Sequence, residues 1–440
     1  MIPILLPIGA LLTGAGFLLL GVGLMNTLLA LRGSAEGFTD QTLGLLGSAY
    51  FAGFILGTYI CPRLIRRMGH IRAFSFFAAG TAAFILLHAL IIDPVFWFVL
   101  RVLTGVMLVG IYTVVESWLN TQAPGERRGQ VFAVYMVVNL GALALAQQFL
   151  RLESPLLFTL FAVSAIFLML SILPVAVTRL PQPLITDTPA MSIKSLWRAA
   201  PVAVLGSLLA GTAMGGFWGL GAVYAARMGM EAAQIASFIS VAIIAGAVMQ
   251  WPLGLLSDRI DRRLALAIIA GISAVGGLLM AILGPFGSGL VFAAAIFGAG
   301  AFAVYPVIVA HLIDHLHQEE ILSGSAALLL LNGIGSAIGP ALAGVLMGMI
   351  GAYALPLLFA VLFAACAGYA LVQSRNTKDE IVEEPGHFVP MVRTSTAMLE
   401  MALDDQTGPT EYPTVEDETL YTQDSAVVDA EPAERRPADG

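Results

Sequence analysis

Charged side chains are scarce in this sequence of 440 residues. Only 11% of the residues are charged and 58% are hydrophobic, whereas a soluble domain carries roughly 25% charged residues. This scarcity excludes an ordinary soluble domain, because such a protein could not hide so much apolar surface from water. It predicts a protein that crosses a membrane several times.

Cysteine is also scarce, and several chemical signatures are missing. The only two cysteines, Cys61 and Cys366, each lie at or inside an apolar run, which favours small buried side chains over a disulfide or a metal pair. The sequence contains no recognisable set of metal ligands, nucleophile elbow or phosphate loop. Its basic residues are scattered over separate connections, which argues against nucleic-acid binding. We therefore predict a protein that is not an enzyme and that has no cofactor and no metal site.

The few charges are distributed unevenly. Residues 374–440 hold 16 of the 29 acidic and 5 of the 21 basic residues, a net charge of −11, and residues 1–373 hold the other 13 acids and 16 bases, a net charge of +3. The C-terminal segment is rich in Glu, Asp, Thr and Pro and lacks long apolar runs, so it cannot bury enough surface to offset the entropy of ordering. We predict that residues 374–440 form an acidic, disordered cytoplasmic tail.

The remaining chain divides into twelve apolar runs separated by polar connections. Each run is close to the ~20 residues that a transmembrane helix requires, and the unbroken hydrophobicity is unlike the alternation of barrel strands. Residues 1–31 contain no charged side chain and are too long for a secretory signal, so we predict a retained first span. The predicted spans are 4–31, 41–61, 73–92, 95–119, 131–150, 156–177, 201–226, 233–253, 264–284, 289–312, 323–349 and 354–373.

Lysine and arginine predict the orientation, because cytoplasmic connections carry an excess of both. Most bases of residues 1–373 lie in the even-to-odd connections, and the opposite connections carry only Arg32, Arg151 and Arg227. One connection, between spans ten and eleven, breaks the trend because it holds acids and histidines but no Lys or Arg. The other connections outweigh it and predict a multi-pass protein of the inner (plasma) membrane with both termini in the cytoplasm.

The chain reads as one unit used twice. The longest internal connection, 178–200, contains three prolines and separates a first group of six spans (1–177) from a second group (201–373). Gly105, Tyr112 and Asn139 recur 193 residues later as Gly298, Tyr305 and Asn332, and Arg67 recurs 192 residues later as Arg259. Two six-span halves related by a parallel repeat are typical of a large class of transporters.

Two charged hinges carry a resemblance to a known family. The segment from Gly254 to Arg263, with Asp258 and Arg259 at its centre, resembles the Gly-x-x-x-Asp-Arg-x-Gly-Arg-Arg/Lys motif of the major facilitator superfamily, with Asp261 where Gly is usual. In the first-half copy, residues 62–72, Pro62 replaces the Gly and Arg66 replaces the Asp. Arg101-x-x-x-Gly105 resembles the family's motif in span four.

Three further segments, 114–117, 250–254 and 305–307, resemble the YcaD-like branch of the superfamily. The resemblance covers residues 1–373. It implies an all-α membrane protein with twelve transmembrane helices in two pseudo-symmetric six-helix bundles. It also implies secondary active transport of a small organic solute by alternating access, which we expect to be proton-coupled.

The resemblance further implies a cytoplasmic gate of charged residues at the hinges and at the foot of span four. An acid at that foot commonly meets the basic residues of the motif, so Glu116 is expected to pair with Arg66, Arg67 or Arg72 when the cytoplasmic side is closed. The predicted gate residues are Arg66, Arg67, Arg72, Glu116, Asp258, Arg259 and Arg263.

Two ionisable residues other than histidines lie clearly inside a span and are candidates for coupling. An intramembrane charge costs about 2.5–3.5 kcal/mol on insertion scales, so such a residue is a functional hypothesis by default. Arg101 and Glu116 are fifteen residues apart on one helix, about 22 Å by rise, and cannot pair. Arg101 has two possible roles. It lies near the coupling-ion path, or it is a structural arginine whose side chain extends outward or binds backbone carbonyls. Glu116 is either the gate residue above or a proton carrier, unless it is an incidental interfacial acid.

Asp258 has a separate expected role. The resemblance places this acid at the N-terminus of a neighbouring helix, where free N–H groups and the helix dipole favour negative charge. In the second-half hinge that helix is span five, which starts near Gly129. The first-half counterpart, Arg66, cannot cap an N-terminus, so the two gates are expected to differ in strength.

The substrate cavity is expected between spans one, four, seven and ten, with contributions from spans two, five, eight and eleven, as the resemblance implies. Aromatic rings with a few amides suit a small polar or amphipathic molecule, although an Asn in a span also often bridges two helices. The candidate ligand contacts are Asn26, Tyr112, Asn139, Trp218, Tyr305 and Asn332.

Three histidines, His311, His315 and His317, stand with Asp314 at the foot of span ten. A metal site would need ligands that converge on one point, and His311 and His315 are one helical turn apart. The simpler expectation is a titrating patch on the cytoplasmic surface.

Two other function classes compete with transport. A receptor or scaffold on a transporter fold would signal through the acidic tail, and deletion of 374–440 would remove its output but not the activity of a transporter. A membrane enzyme finds little support. We expect the partners to be a small-molecule substrate, a proton and the lipid bilayer, and the protein to be a monomer.

Overall fold

The computed structural model describes residues 2–122, 128–177, 183 and 190–376, and for residues 2–7, 128, 129 and 376 it describes the backbone alone. All regular structure in these ranges is helical. Twelve helices are long and apolar enough to cross a bilayer, which confirms the predicted fold class. The predicted tail lies outside the described residues from 377 onward.

The helices alternate in direction through the twelve spans, with one short extra helix, α7, inside the central connection. Their bounds are α1 (Ile2–Ala35), α2 (Asp40–Met68), α3 (His70–Leu90), α4 (Pro94–Gln122), α5 (Arg128–Gln148), α6 (Phe158–Val177), α7 (Ile193–Ala199), α8 (Pro201–Arg227), α9 (Ala232–Arg259), α10 (Arg262–Leu283), α11 (Gly287–Ile313), α12 (Gln318–Ile350) and α13 (Ala354–Asn376). A 3-10 turn, Phe149–Arg151, follows α5.

Local capping explains several of these boundaries. Thr39 accepts a hydrogen bond from the Thr42 N–H at the start of α2, and Asp261 accepts from the backbone of Arg263 and Leu264 at the start of α10. A side-chain oxygen in that position satisfies N–H groups that have no partner within the helix. Gly69, at φ 79°, lets the chain turn from α2 directly into α3.

The pseudo-symmetry of the two halves is visible at matched helix crossings. A Cβ atom on Gly105 would lie 2.1 Å from the Tyr50 carbonyl oxygen of α2, and one on Gly298 would lie 2.1 Å from the Ala242 carbonyl oxygen of α9. Glycine therefore allows α4 to approach α2, and α11 to approach α9, in the same way. Each half also pairs its first helix with its last two and its third with its sixth.

The two faces of the bundle are defined by their connections. The α2–α3 and α9–α10 connections and the end of α13 lie on one face, which we call the terminal face. The α1–α2 and α8–α9 connections lie on the other, which we call the opposite face.

The two halves touch along several helix pairs, among them α2 with α12 and α5 with α9. On α2 and α12, the Ala341 N–H donates to Ser48 Oγ at 3.0 Å, and Gly44 packs against the Pro340 carbonyl. On the other side of the bundle, Ser240 Oγ of α9 donates to the Ala144 carbonyl of α5 at 2.8 Å. These contacts hold the halves together at the opposite face.

Candidate functional site

Arg101 lies inside α4 and is 7% exposed. Its Nη1 donates to Asn26 Oδ1 of α1 at 2.9 Å, and its Nε donates to the Leu46 carbonyl of α2 at 3.3 Å. The guanidinium carbon lies 4.7 Å from the centre of the Tyr50 ring, a cation–π distance. Arg101 therefore binds a backbone carbonyl, as the structural alternative expected, and its side chain does not extend outward to the interface.

Glu116 lies toward the terminal face of the same helix and is fully buried. The Tyr135 hydroxyl of α5 donates to Glu116 Oε1 at 2.9 Å. Tyr135 is not among the predicted site residues, because a tyrosine in an apolar run looks like any other buried aromatic. Asn139, a predicted cavity residue, follows Tyr135 by one turn and is 1% exposed. The structure thus brings two of the predicted residues together with one that was missed.

The N-terminal arginines of the predicted gate lie at the terminal face. Arg66 and Arg67 are exposed in the last turn of α2, and Arg72 is exposed in the first turn of α3. Glu116, by contrast, is fully buried. The expected pairing between these arginines and Glu116 stays a prediction.

A compact ionic network occupies the terminal face of the C-terminal half. Arg262 is 7% exposed, and its Nε donates to Asp314 Oδ2 at the end of α11. Its Nη1 donates to Asp258 Oδ1 at 3.1 Å and to Ser257 Oγ at 3.3 Å. Neither Arg262 nor Asp314 was among the predicted gate residues, yet they form the centre of this network.

Neighbouring hinge residues have different roles. Arg263 is 6% exposed, and its Nη1 donates to the Gln373 carbonyl of α13 at 3.2 Å. Arg259 is exposed. Asp261, which stands where the family has Gly, caps α10. An Asp immediately before an apolar helix is a readable N-cap signal, so this role was accessible from the sequence.

The expectation of a titrating surface patch at His311 is wrong. His311 is 1% exposed and Asp314 is 5% exposed. The foot of α11 packs against α10, where Arg262 pairs with Asp314, and the ring of His315 lies 4.4 Å from that of His311. This packing leaves His317 exposed. Among the described residues, no group of three His, Cys, Asp or Glu side chains could hold a metal ion.

The remaining cavity candidates fall into two groups. Tyr112 and Tyr305 are 7% and 5% exposed, and Trp218 is partly exposed beside the Phe302 ring at 6.0 Å. Asn332 instead donates through Nδ2 to the Ser207 carbonyl at 3.1 Å, which joins α12 to α8. That contact favours the helix-bridging role for Asn332.

The Asp258 prediction depends on the start of α5. The structure does not describe the side chains of residues 123–129, so the expected contact of Asp258 with the start of α5 stays a prediction. Within the described part, Asp258 pairs with Arg262 one turn later.

Comparison with known proteins agrees with this architecture. The family model of the Major Facilitator Superfamily matches residues 8–321. The chain is 30% identical over 378 residues to the "Uncharacterized MFS-type transporter YcaD" of Escherichia coli O7:K1 (strain IAI39 / ExPEC), which covers 84% of this chain and 96% of that protein.

Two solved structures share the fold. The nucleoside transporter NupG aligns with a TM-score of 0.68 at 15% identity, over 86% of this chain and 100% of that one. A bacterial homolog of the human lysosomal transporter Spinster, in an inward-facing and occupied conformation, aligns with a TM-score of 0.66 at 17% identity, over 84% of this chain and 96% of that one.

Proposed function

Because the chain belongs to the major facilitator superfamily and is a multi-pass membrane transporter, we propose that it moves a small organic solute by alternating access, coupled to protons. The observation that carries this proposal is the pair formed by Glu116 and Tyr135. An acid that is fully buried within a span and bonded to a hydroxyl on a second helix is expensive to keep, which supports a role in function.

The contacts between the halves support alternating access. They cluster near the opposite face, where α2 meets α12 and α5 meets α9. A solute could leave toward that face only if these contacts separate. We infer from this arrangement a state open toward the terminal face, and the Lys/Arg distribution supports a cytoplasmic position for that face. We place the protein in the inner membrane as a monomer with both termini in the cytoplasm.

Two roles for Glu116 remain open, and they predict different results. As a proton carrier, Glu116 exchanges a proton during each transport cycle, so solute uptake depends on it but solute exchange does not. As a gate residue, it stabilises the closed cytoplasmic side together with Arg66, Arg67 or Arg72, so both uptake and exchange depend on it. The family and the fold favour transport over a receptor or scaffold that signals through residues 374–440.

The test is a flux screen in proteoliposomes with a panel of metabolites and drugs, with and without an imposed proton gradient. The carrier role predicts that Glu116→Gln lowers gradient-driven uptake at least roughly 100-fold, since glutamine has no proton to transfer, while counterflow exchange persists. The gate role predicts that both are impaired. Asp93→Asn is the matched control, because Asp93 is an exposed acid of the same half that caps the start of α4.

Uptake by the Glu116→Gln protein at the wild-type rate, with an unchanged dependence on pH, would exclude both roles. A panel in which no solute moves faster than in protein-free vesicles would contradict the transport proposal itself.

A further inference from the structure

Arg101 is a buried cation whose contacts include no acid. The Asn26 amide oxygen, the Leu46 carbonyl and the face of Tyr50 surround it, and among the described residues it forms no ion pair. Arg262, the other deeply buried arginine with a defined network, is paired with two carboxylates. The positive charge of Arg101 is therefore solvated by dipoles but is not neutralised.

Two hydrogen-bond donors beside this charge are available to a ligand. The bonds of Arg101 use Nε and Nη1, so Nη2 donates to no residue that the structure describes. Because Asn26 accepts from Arg101 through Oδ1, its Nδ2 group points away from the guanidinium, and it too has no partner in the described part of the chain. Neither nitrogen is among the fully buried side-chain atoms that lack a partner in the described part of the chain, so both retain accessible surface. A buried guanidinium with an unused N–H group matches a carboxylate oxygen in both charge and hydrogen bonding.

The position of this pair fits a binding site for the transported solute. Leu46, whose carbonyl accepts from Arg101, precedes Gly47, and a Cβ on Gly47 would lie 2.8 Å from Pro340 and 3.4 Å from Gly219 of the other half. The pair thus lies beside a contact between the two halves near the opposite face. A ligand held there lies next to the surface that must open.

Aromatic rings continue from this point into the half. The Tyr50 and Phe54 rings are 6.3 Å apart, and the Phe54 and Tyr112 rings are 6.2 Å apart. The two tyrosines are 8% and 7% exposed, and Phe54 is partly exposed. One cation followed by apolar surface suits a ligand with one negative charge and an apolar body. A phosphate, which carries up to two charges, would call for a second cation.

We propose that Arg101, held in place by Asn26, binds the carboxylate of the transported solute, which is an organic monocarboxylate with an apolar or aromatic body. This inference rests on the proposed function for its relation to transport, but binding itself is measurable without flux.

The experiment uses the purified full chain in detergent with acetate, hexanoate, benzoate and phenylacetate as probes, each compared with its uncharged amide at equal ionic strength. Thermal unfolding and isothermal titration report binding. We expect saturable binding of hexanoate or of the aromatic carboxylates, weaker binding of acetate and none of the amides. Phenyl phosphate tests whether a doubly charged anion is preferred.

Three variants locate the site. Arg101→Gln should weaken carboxylate binding by roughly 10- to 150-fold, the range for loss of hydrogen bonds to a charged group, and bring the carboxylate-to-amide ratio close to one. Arg101→Lys should restore part of the preference, because it keeps the charge but loses the planar fork. Arg63→Gln, the same change at an exposed arginine of α2, should have no effect.

The proposal is overturned if no carboxylate binds, if the amides bind as well as the acids, if phenyl phosphate binds more tightly than phenylacetate, or if Arg101→Gln protein that remains monodisperse binds carboxylates unchanged. Carboxylate binding that depends on Arg101, in a protein without flux, would support this site and contradict only the transport proposal. If the protein instead transports uncharged solutes and Arg101→Gln leaves their flux unchanged, the transport proposal is supported and the carboxylate site is contradicted.

Discussion

The N-terminal half carries Arg101 and Glu116 inside its spans, whereas the positions 193 residues later in the C-terminal half are Ala294 and Val309, both buried. The helix crossings at Gly105 and Gly298 are nevertheless alike. Close packing of small residues is thus retained in both halves, whereas Arg101 and Glu116, the two Arg and Glu side chains buried well inside a span in the described part of the chain, both belong to the N-terminal half. This difference supports our proposal that the first half binds the solute and the proton, while the second supplies the surface that closes over them.

The C-terminal half holds its charges differently. Arg262, Asp258 and Asp314 pair with one another at the terminal face, next to the cap formed by Asp261. In the N-terminal half the corresponding face carries Arg66 and other exposed arginines of the hinge. The second half therefore has an internal ionic network that fixes the α9–α10 connection against α11.

The largest expected loss of stability comes from breaking the network of Arg262, Asp258 and Asp314. Asp314→Ala removes one partner of the buried Arg262, and the free energy of unfolding should fall by about 3 kcal/mol. Arg259→Ala, which changes an exposed arginine of the same hinge, should stay within about 0.5 kcal/mol of wild type. Equilibrium unfolding in mixed micelles measures both. Equal effects of the two changes would contradict the distinction between a structural network and an exposed hinge.

The matched helix crossings at Gly105 and Gly298 should be equally sensitive to an added methyl group. Gly105→Ala and Gly298→Ala each place a methyl group against a backbone oxygen, and each should destabilise the protein by about 1–3 kcal/mol through overpacking. Gly141→Ala and Gly271→Ala are matched controls, one in each half, because a Cβ at either position meets nothing within 4 Å. Thermal unfolding of the four variants is the measurement. A large cost in only one half would show that the two crossings are not equivalent.

The smallest expected effect on stability concerns Asn139 and Asn332, which occupy equivalent positions in the two halves. Asn332→Ala removes the bond to the Ser207 carbonyl and should lower stability by about 0.6 kcal/mol, the average for such bonds in a membrane, with little effect on transport. Asn139 forms no hydrogen bond to another helix among the described residues, so Asn139→Ala should cost less stability than Asn332→Ala and should reduce transport. Unfolding and flux measured on the same preparations test the pair, and the reverse pattern would refute the assignment.

Much of this architecture could be predicted from the sequence. Twelve apolar runs of bilayer length and repeated residues at a constant offset were sufficient for the fold, because hydrophobicity and length decide which segments span a membrane. The candidate site was only partly accessible. Arg101 and Glu116 stand out because charge is rare in a span, but Tyr135 does not, since its role depends on which face of α5 meets α4.

The network of the second half was missed for a related reason. Arg262 and Asp314 are 52 residues apart, and no local pattern links an arginine after a hinge to an acid among histidines. His311 was predicted to be at the surface because histidines near a helix end are usually solvated. Its burial follows from the packing of α10 against the foot of α11, which is a tertiary feature.

The most direct test of alternating access is a cross-link across the contact at the opposite face. The test uses protein in which the free cysteines Cys61 and Cys366 are replaced by alanine. In its Ser48→Cys/Ala341→Cys variant, oxidation should join α2 to α12. Thr27→Cys/Gln147→Cys joins α1 to α5 within one half and is the control. The measurement is gradient-driven uptake of the solute that the flux screen identifies, before and after reduction. We predict that the oxidised inter-half pair abolishes uptake, that reduction restores it and that the control pair transports in both states, whereas uptake at an unchanged rate by the fully cross-linked inter-half pair would contradict the account.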